Sequence, residues 1–141
     1  MRRISFNTRF VNESGDDLIP GKIHTIRQNF DFWKRFEGKD VALFTWVGAP
    51  YRSKQKVFCE KRLVSVQEME FKTKEVGSIK NIGVQLHQME FFIAGLRIPL
   101  DVLAENDGFK EDVDLMRWFL SKRYKPGKMA VLHFTDFKYE G

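Results

Sequence analysis

PGKIHTIR, residues Pro20 to Arg27, is the most unusual local stretch of this 141-residue chain. Pro20 and Gly21 break the backbone, and Ile23 to Arg27 then forms a short strand with Ile23, Thr25 and Arg27 on one face. Lys22 stands at the turn, where the bend can swing its ammonium back toward Thr25. A threonine hydroxyl is a weak nucleophile until a base removes its proton. A lysine can be that base only where burial or neighbouring cations lower its pKa, and Arg9 and Arg27 are available cations. The plain alternative stays open: a solvated turn lysine, an ordinary strand threonine and a surface arginine.

Working outward, residues 3–10 alternate Ile4, Phe6, Thr8 and Phe10 with Arg3, Ser5, Asn7 and Arg9, which predicts a first strand. VNESGDD after it is a loop or short helix. Phe30 to Phe36 is one or two helical turns closed by Gly38, and Val41 to Val47, apolar on both faces, is a central strand. Gly48 to Gln55 is a loop leading into a long strand, Lys56 to Val66. Glu68 to Ile98 reads as two or three strands, around 79–86 and 89–93, interrupted by Gly77, Gly83 and Gly95. Pro99 to Glu105 is a short helix ended by the turn Asn106, Asp107, Gly108. The clearest helix is Lys110 to Arg123, with an apolar stripe of Val113, Met116, Phe119 and Leu120, acids in its first turn and bases in its last. Lys125 to Gly127 is a turn and Met129 to Tyr139 a final strand. The expectation is one domain over 1–141, mainly β with short helices, an α+β chain.

With 43% hydrophobic and 30% charged residues the composition is that of an ordinary globular domain, not of a disordered chain. The formal charge of +5 is unevenly spread. Residues 1–62 hold 13 Lys and Arg against 7 Asp and Glu, whereas residues 63–141 hold 11 against 12, so the basic excess lies in the first half. Such a face favours phosphate-bearing partners. Cys59 is the only cysteine, which excludes an intrachain disulfide. MRRISF lacks the apolar centre of a secretory leader, and no stretch approaches the roughly 18 apolar residues of a membrane span, so a cytoplasmic protein is expected.

His24, His87, His133 and Cys59 are too scattered for a zinc spacing, so no metal is expected. The glycines near Gly15 and Gly21-Lys22 miss the phosphate-loop spacing by one residue, and Ile23 replaces its hydroxyl. A site therefore has to be assembled from Lys, Thr, Arg and carboxylates. Trp33, Phe36, Trp46 and Tyr51 are candidates to stack on a base. Of the loop Tyr51, Arg52, Ser53 and Lys54, loop position makes all four candidates to meet a ligand.

FNTRF (6–10), GKIHTIR (21–27), a turn with Gly38, a β run, ENDGF (105–109), an amphipathic helix and a final hydrophobic strand together resemble the ASCH domain. The resemblance runs nearly end to end, with 67–98 matching poorly and reading as an insertion. It implies a PUA-like β-barrel. The wider superfamily is associated with RNA recognition, which implies an RNA, nucleoside or nucleotide partner held by Arg9, Arg27 and the loop Tyr51, Arg52, Ser53 and Lys54. Small bacterial ASCH proteins include amidohydrolases that remove acyl groups from the exocyclic nitrogen of N4-acetylcytidine, using a Lys, a Thr three residues later and a downstream Glu. Lys22 and Thr25 keep both identity and spacing; the Glu position falls on Asp107, one methylene shorter, with Glu105 as the alternative. No cofactor is implied. A protein-interaction domain is the third reading.

Overall fold

Leu63 and Val64 carry one long run of strand around a corner between two sheets. In the computed structural model, which describes residues 1–75, 87–122 and 128–140, β4 (Gln55–Arg62) ends and β5 (Ser65–Glu75) begins on either side of this pair. The single strand expected over 56–66 is thus split. Leu63 is fully buried, its N–H donating to Lys39 and its carbonyl accepting from Gly38, while Val64 N–H donates to His133. Both residues keep backbone hydrogen bonds through the bend, because each side of the corner finds partners in a different layer.

The first sheet has the order β1 (Arg2–Ser5), β3 (Asp40–Trp46), β4, with β1 parallel to β3 and β4 antiparallel to it. The second runs β2 (His24–Gln28), β8 (Lys128–His133), β5, β6 (His87–Ile93), β7 (Leu96–Ile98), antiparallel throughout. Three short helices, α1 (Phe30–Lys34), α2 (Leu100–Asn106) and α3 (Asp112–Lys122), complete a mainly β fold. Among the described residues no ladder closes the two sheets into one barrel. β5 lies in the middle of its sheet, and Met69, Phe71, Met89, Phe91 and Ile93 are buried, so the strands within 67–98 are built into the core. No helix among the described residues is long and apolar enough to cross a membrane.

One hydrophobic cluster draws on both sheets and on α2 and α3, including Ile4, Ile26, Leu43, Leu63, Leu103 and Leu132. Phe119 of α3 packs edge-on against Phe71 and Phe91, with ring centroids 5.4 and 5.2 Å apart. Each such ring stabilises the fold by roughly 1.5–3 kcal/mol through burial alone.

Three boundaries differ from the periodicity. β1 stops at Ser5, because the Asn7 side chain accepts a hydrogen bond from Arg9 N–H and Thr8–Phe10 becomes a 3-10 turn. Ile4, Phe6 and Phe10 still point inward, but Thr8 is exposed. β8 stops at His133; Thr135 Oγ1 then accepts from Phe137 N–H and the chain folds back to bury Tyr139. On α3 the buried residues are Leu115 and Phe119, while Val113 and Met116 are half-buried and Leu120 is exposed. The helix is rotated from its expected stripe because Phe119 and Trp118 seat on rings of β5, β6 and Phe109. The expected strand around 79–86 with Gly77 and Gly83, the turn at 125–127 and Arg123 lie outside the described residues.

Candidate functional site

β2 separates two polar environments. Strand alternation sends Thr25 and Arg27 to a cleft of about 870 Å³ and His24 and Ile26 to the interior, where His24 lies directly across from His133 of β8. The turn before β2 is tied to the end of α2 by Ile23 N–H donating to the Asn106 carbonyl at 2.9 Å. Asp107 caps α2 with its N–H on the Leu103 and Ala104 carbonyls, and so is fixed beside Lys22. Gly108 follows with φ +87°, and a Cβ there would lie 2.9 Å from Lys22 Cβ. Only glycine both adopts that turn and leaves room for the lysine.

Lys22 is buried, its residue 6% exposed, yet lines the cleft together with Thr25, Arg27 and Asp107. Its Nζ donates to the Asp107 carbonyl oxygen at 2.6 Å, sits 3.4 Å from Asp107 Oδ1 and lies 4.3 Å from the Phe10 ring centroid. Burial pushes the Lys22 pKa down to about 8; Asp107 opposes the shift, and the guanidiniums of Arg27 and Arg9 add to it. Thr25 Oγ1 accepts from Arg27 Nη1 at 2.6 Å. The Arg27 guanidinium is itself held by the Ile26 and Ser5 carbonyls and lies 5.1 Å from the Phe6 ring centroid. The lysine and the threonine therefore share one cleft but are hydrogen-bonded to different partners.

Behind Asp107 runs a buried chain of polar groups. His24 Nδ1 is 3.0 Å from Asp107 Oδ1 and Nε2 is 2.7 Å from Tyr139 Oη, which also accepts from Asn106 Nδ2 at 3.1 Å. A carboxylate only accepts, so His24 Nδ1 carries a proton and donates to Asp107, while Nε2 and the tyrosine hydroxyl share the second hydrogen bond. His133 carries its proton on Nε2. Gln67 Nε2 donates to the Tyr139 carbonyl at 2.9 Å, so its Oε1 must accept from Tyr139 N–H and from His133 Nε2–H. Among the described residues, the buried His133 Nδ1 has no partner. Burial pushes the His133 pKa down to about 3, helped by His24 and Lys138, and pushes that of Tyr139 up to about 12, with Asp107 adding to the rise and Asn106 opposing it.

The remaining predicted residues are spread more widely. Arg9 lines the cleft, its guanidinium 4.7 and 4.8 Å from the ring centroids of Phe10 and Phe109. Tyr51, 89% exposed and at φ 63°, also lines it and packs on Trp46 at 5.3 Å. Arg52, Ser53 and Lys54 are not among the residues lining it; Ser53 Oγ accepts from Gly48 N–H and donates to the Ala49 carbonyl, holding the loop together. Glu105 is exposed on a separate depression with Pro20 and Gly21; Asp107 and Asp114 line the cleft, and Asp107 is the one beside Lys22. Trp33 and Phe36 pack α1 against the core. Among the described residues no cluster of His, Cys, Asp and Glu is placed to hold a metal ion.

Compared with models of known families, with curated proteins and with solved structures, the chain matches none. The site is thus read from its own geometry. Sequence reasoning missed His24, Asn106, Gln67, Tyr139 and Trp118. His24 had one local signal, its place on the opposite strand face from Thr25, but its partners lie 83 and 115 residues away.

Proposed function

We propose that the chain is an ASCH-like, PUA-related amidohydrolase that removes an acyl group from the exocyclic nitrogen of a cytidine-type base. One observation carries this reading: Lys22, with its pKa lowered to about 8, lines a single cleft with Thr25 and the Asp107 carboxylate. A cleft of about 870 Å³ suits a nucleoside-sized ligand, whose sites span roughly 300–1,000 Å³. The phenyl rings of Phe6 and Phe10 offer apolar walls for a base. The family assignment is supported by the turn and strand carrying Lys22 and Thr25, the Asp107-Gly108 turn before α3, and the final strand β8 paired to β2.

In this mechanism unprotonated Lys22 takes the Thr25 hydroxyl proton as Oγ1 bonds to the amide carbonyl carbon. Arg27, already donating to Oγ1, stabilises the negative charge as it develops. The protonated lysine then gives its proton to the departing exocyclic nitrogen as the carbon–nitrogen bond breaks, and water hydrolyses the acyl-threonine. Substrate binding has to draw Nζ away from the Asp107 carbonyl toward Thr25, a movement at the end of a flexible side chain. Incubation with N4-acetylcytidine and chromatography for cytidine tests the reaction. Turnover is expected, and Lys22→Met lowers it by about 10²–10⁴-fold; equal turnover in that variant rules the mechanism out.

A second reading, binding of RNA or a nucleotide without chemistry, is favoured by the Arg9 guanidinium stacked at the cleft and the exposed Tyr51 ring on Trp46. Salt-dependent binding of a cytidine-containing RNA fragment, weakened by Arg9→Ala and accompanied by no turnover, is its signature.

A further inference from the structure

We infer that His24 is a positioning residue that keeps Lys22 able to give up its proton, by holding the Asp107 carboxylate to itself and away from the lysine. The inference deepens the proposed reaction and takes from it only that Lys22 acts unprotonated. The distances carry it. Asp107 Oδ1 is 3.0 Å from His24 Nδ1 but 3.4 Å from Lys22 Nζ, and the short bond of the lysine, 2.6 Å, goes to the neutral backbone carbonyl of the same residue. The 3.4 Å ion pair already favours the ammonium form, and a carboxylate no longer shared with His24 would close on the lysine and hold that form more firmly. The imidazole is itself aimed from behind, since Nε2 is hydrogen-bonded to Tyr139 Oη and Asn106 donates to the same oxygen. His24 is completely buried and Asp107 is 3% exposed, so the bond between them is little screened by solvent.

The groups facing Lys22 are Asp107 from the end of α2, Arg27 from β2, Arg9 from the 3-10 turn, and the Phe6 and Phe10 rings. Those facing His24 are Asp107, Tyr139 and, 5.4 Å away between ring centroids, His133 of β8. Of these, the Asp107 carboxylate is the one group that His24 and Lys22 contact in common. When His24 no longer donates, the carboxylate is one partner short and its next donor is the lysine ammonium. It closes on Lys22, and the lysine holds its proton to higher pH.

The test is the pH dependence with which the Lys22 amine of the folded protein is labelled by acetic anhydride, read peptide by peptide by mass spectrometry. His24→Leu is expected to move the labelling midpoint of Lys22 alkaline by about one pH unit or more, a tenfold loss of free amine at pH 7. His24→Asn, which keeps an N–H near the Nδ1 position, restores most of the shift. Tyr139→Phe, which removes the hydrogen bond that aims the His24 ring at the carboxylate, moves the midpoint in the same direction by less. A Lys22 midpoint unmoved or moved acidic in folded His24→Leu overturns the inference; where that variant does not fold, an unmoved midpoint in Tyr139→Phe does so. Hydrolysis of N4-acetylcytidine is followed in parallel, and the loss in His24→Leu is expected to recover at high pH, as a merely structural lesion does not. If the wild type turns over no N4-acetylcytidine, the reading of the reaction fails while the labelling still decides the role of His24.

Discussion

On one face of β2, Thr25 and Arg27 look into an open cleft; on the other, one residue along, His24 lies against His133 in the interior. Each face has buried polar groups, Lys22 and Thr25 on one and His24 and His133 on the other, yet they handle charge in opposite ways. On the cleft side Lys22 stands beside one carboxylate, and burial, with Arg27 and Arg9 adding to it, makes the lysine hold its proton weakly. On the interior side Tyr139 and Gln67 supply neutral partners to the two imidazoles and burial keeps His133 from taking a second proton, with no partner among the described residues for its Nδ1. Burying neutral groups in a closed hydrogen-bonded chain costs little, whereas burying a cation costs several kcal/mol unless it is paired. The difference teaches which face can do chemistry: charge is poised on the cleft side and locked out on the interior side, with Asp107 belonging to both.

Acidification breaks the interior face first and gives the largest effect. An unfolded histidine takes its proton near pH 6.5, whereas His133 in the fold does so near 3. Between those values the unfolded chain binds the extra proton, so stability falls as pH drops from 6.5. The loss is about 2 kcal/mol by pH 5 and about 4 kcal/mol by pH 3. His133→Gln, which keeps an N–H for Gln67 but does not titrate, flattens the slope between pH 6.5 and 5 in urea denaturation. That window lies above the range where most carboxylates protonate, so an unchanged slope would show that His133 is not the group responsible.

How much of this was legible in the sequence follows the same division. The mainly β character, the helices near 30–36 and 110–123, and the placing of Thr25 and Arg27 on one strand face all come from alternation and turn residues, which are local. Lys22 at a bend was legible for the same reason. What local pattern could not supply was the corner at Leu63-Val64, since alternation continues across it and only pairing with Gly38, Lys39 and His133 bends the strand. The choice between Glu105 and Asp107 was equally hidden, because helix capping, not spacing, turns Asp107 inward. His24 reads as one scattered histidine until Tyr139 returns to it from the chain's far end. The interior face is thus almost wholly a product of long-range contacts, and the cleft face only partly so.

Alkali probes Asp107's two neighbours with opposite signs. Lys22 loses its proton near pH 8 in the fold and 10.5 when unfolded. Between them the unfolded chain holds the extra proton, and stability rises with pH, by about 2–3 kcal/mol at pH 10. Tyr139 behaves the other way, holding its proton to about 12 in the fold against 10 unfolded, so stability falls above pH 10. A maximum near pH 10 is expected, measured in a Cys59→Ser background because burial raises that thiol's pKa and opposes the rise. Lys22→Met removes the rising limb and Tyr139→Phe the falling one. Loss of both limbs in either single variant would mean that the two faces titrate as one unit.

The smallest perturbation acts on the cleft face alone. Gly108 has φ +87°, where an L residue costs about 1–2 kcal/mol, and its added Cβ would meet Lys22 Cβ at 2.9 Å and Cγ and Cδ at 3.1 Å. The contact falls on the base of the lysine side chain, which cannot swing aside as its tip could, so the lysine has to shift as a whole. Gly108→Ala is therefore expected to cost about 1–2 kcal/mol, seen as a lower urea midpoint, and to push Nζ out of the site. Moving toward solvent restores hydration of the ammonium, so the Lys22 labelling midpoint should rise toward that of an ordinary lysine. The interior face is not touched by this methyl group, and the acid slope assigned to His133 should remain as in the wild type. A variant that changed the acid slope as much as the lysine midpoint would show that Asp107 transmits disturbance across β2 and does not merely stand between its two faces.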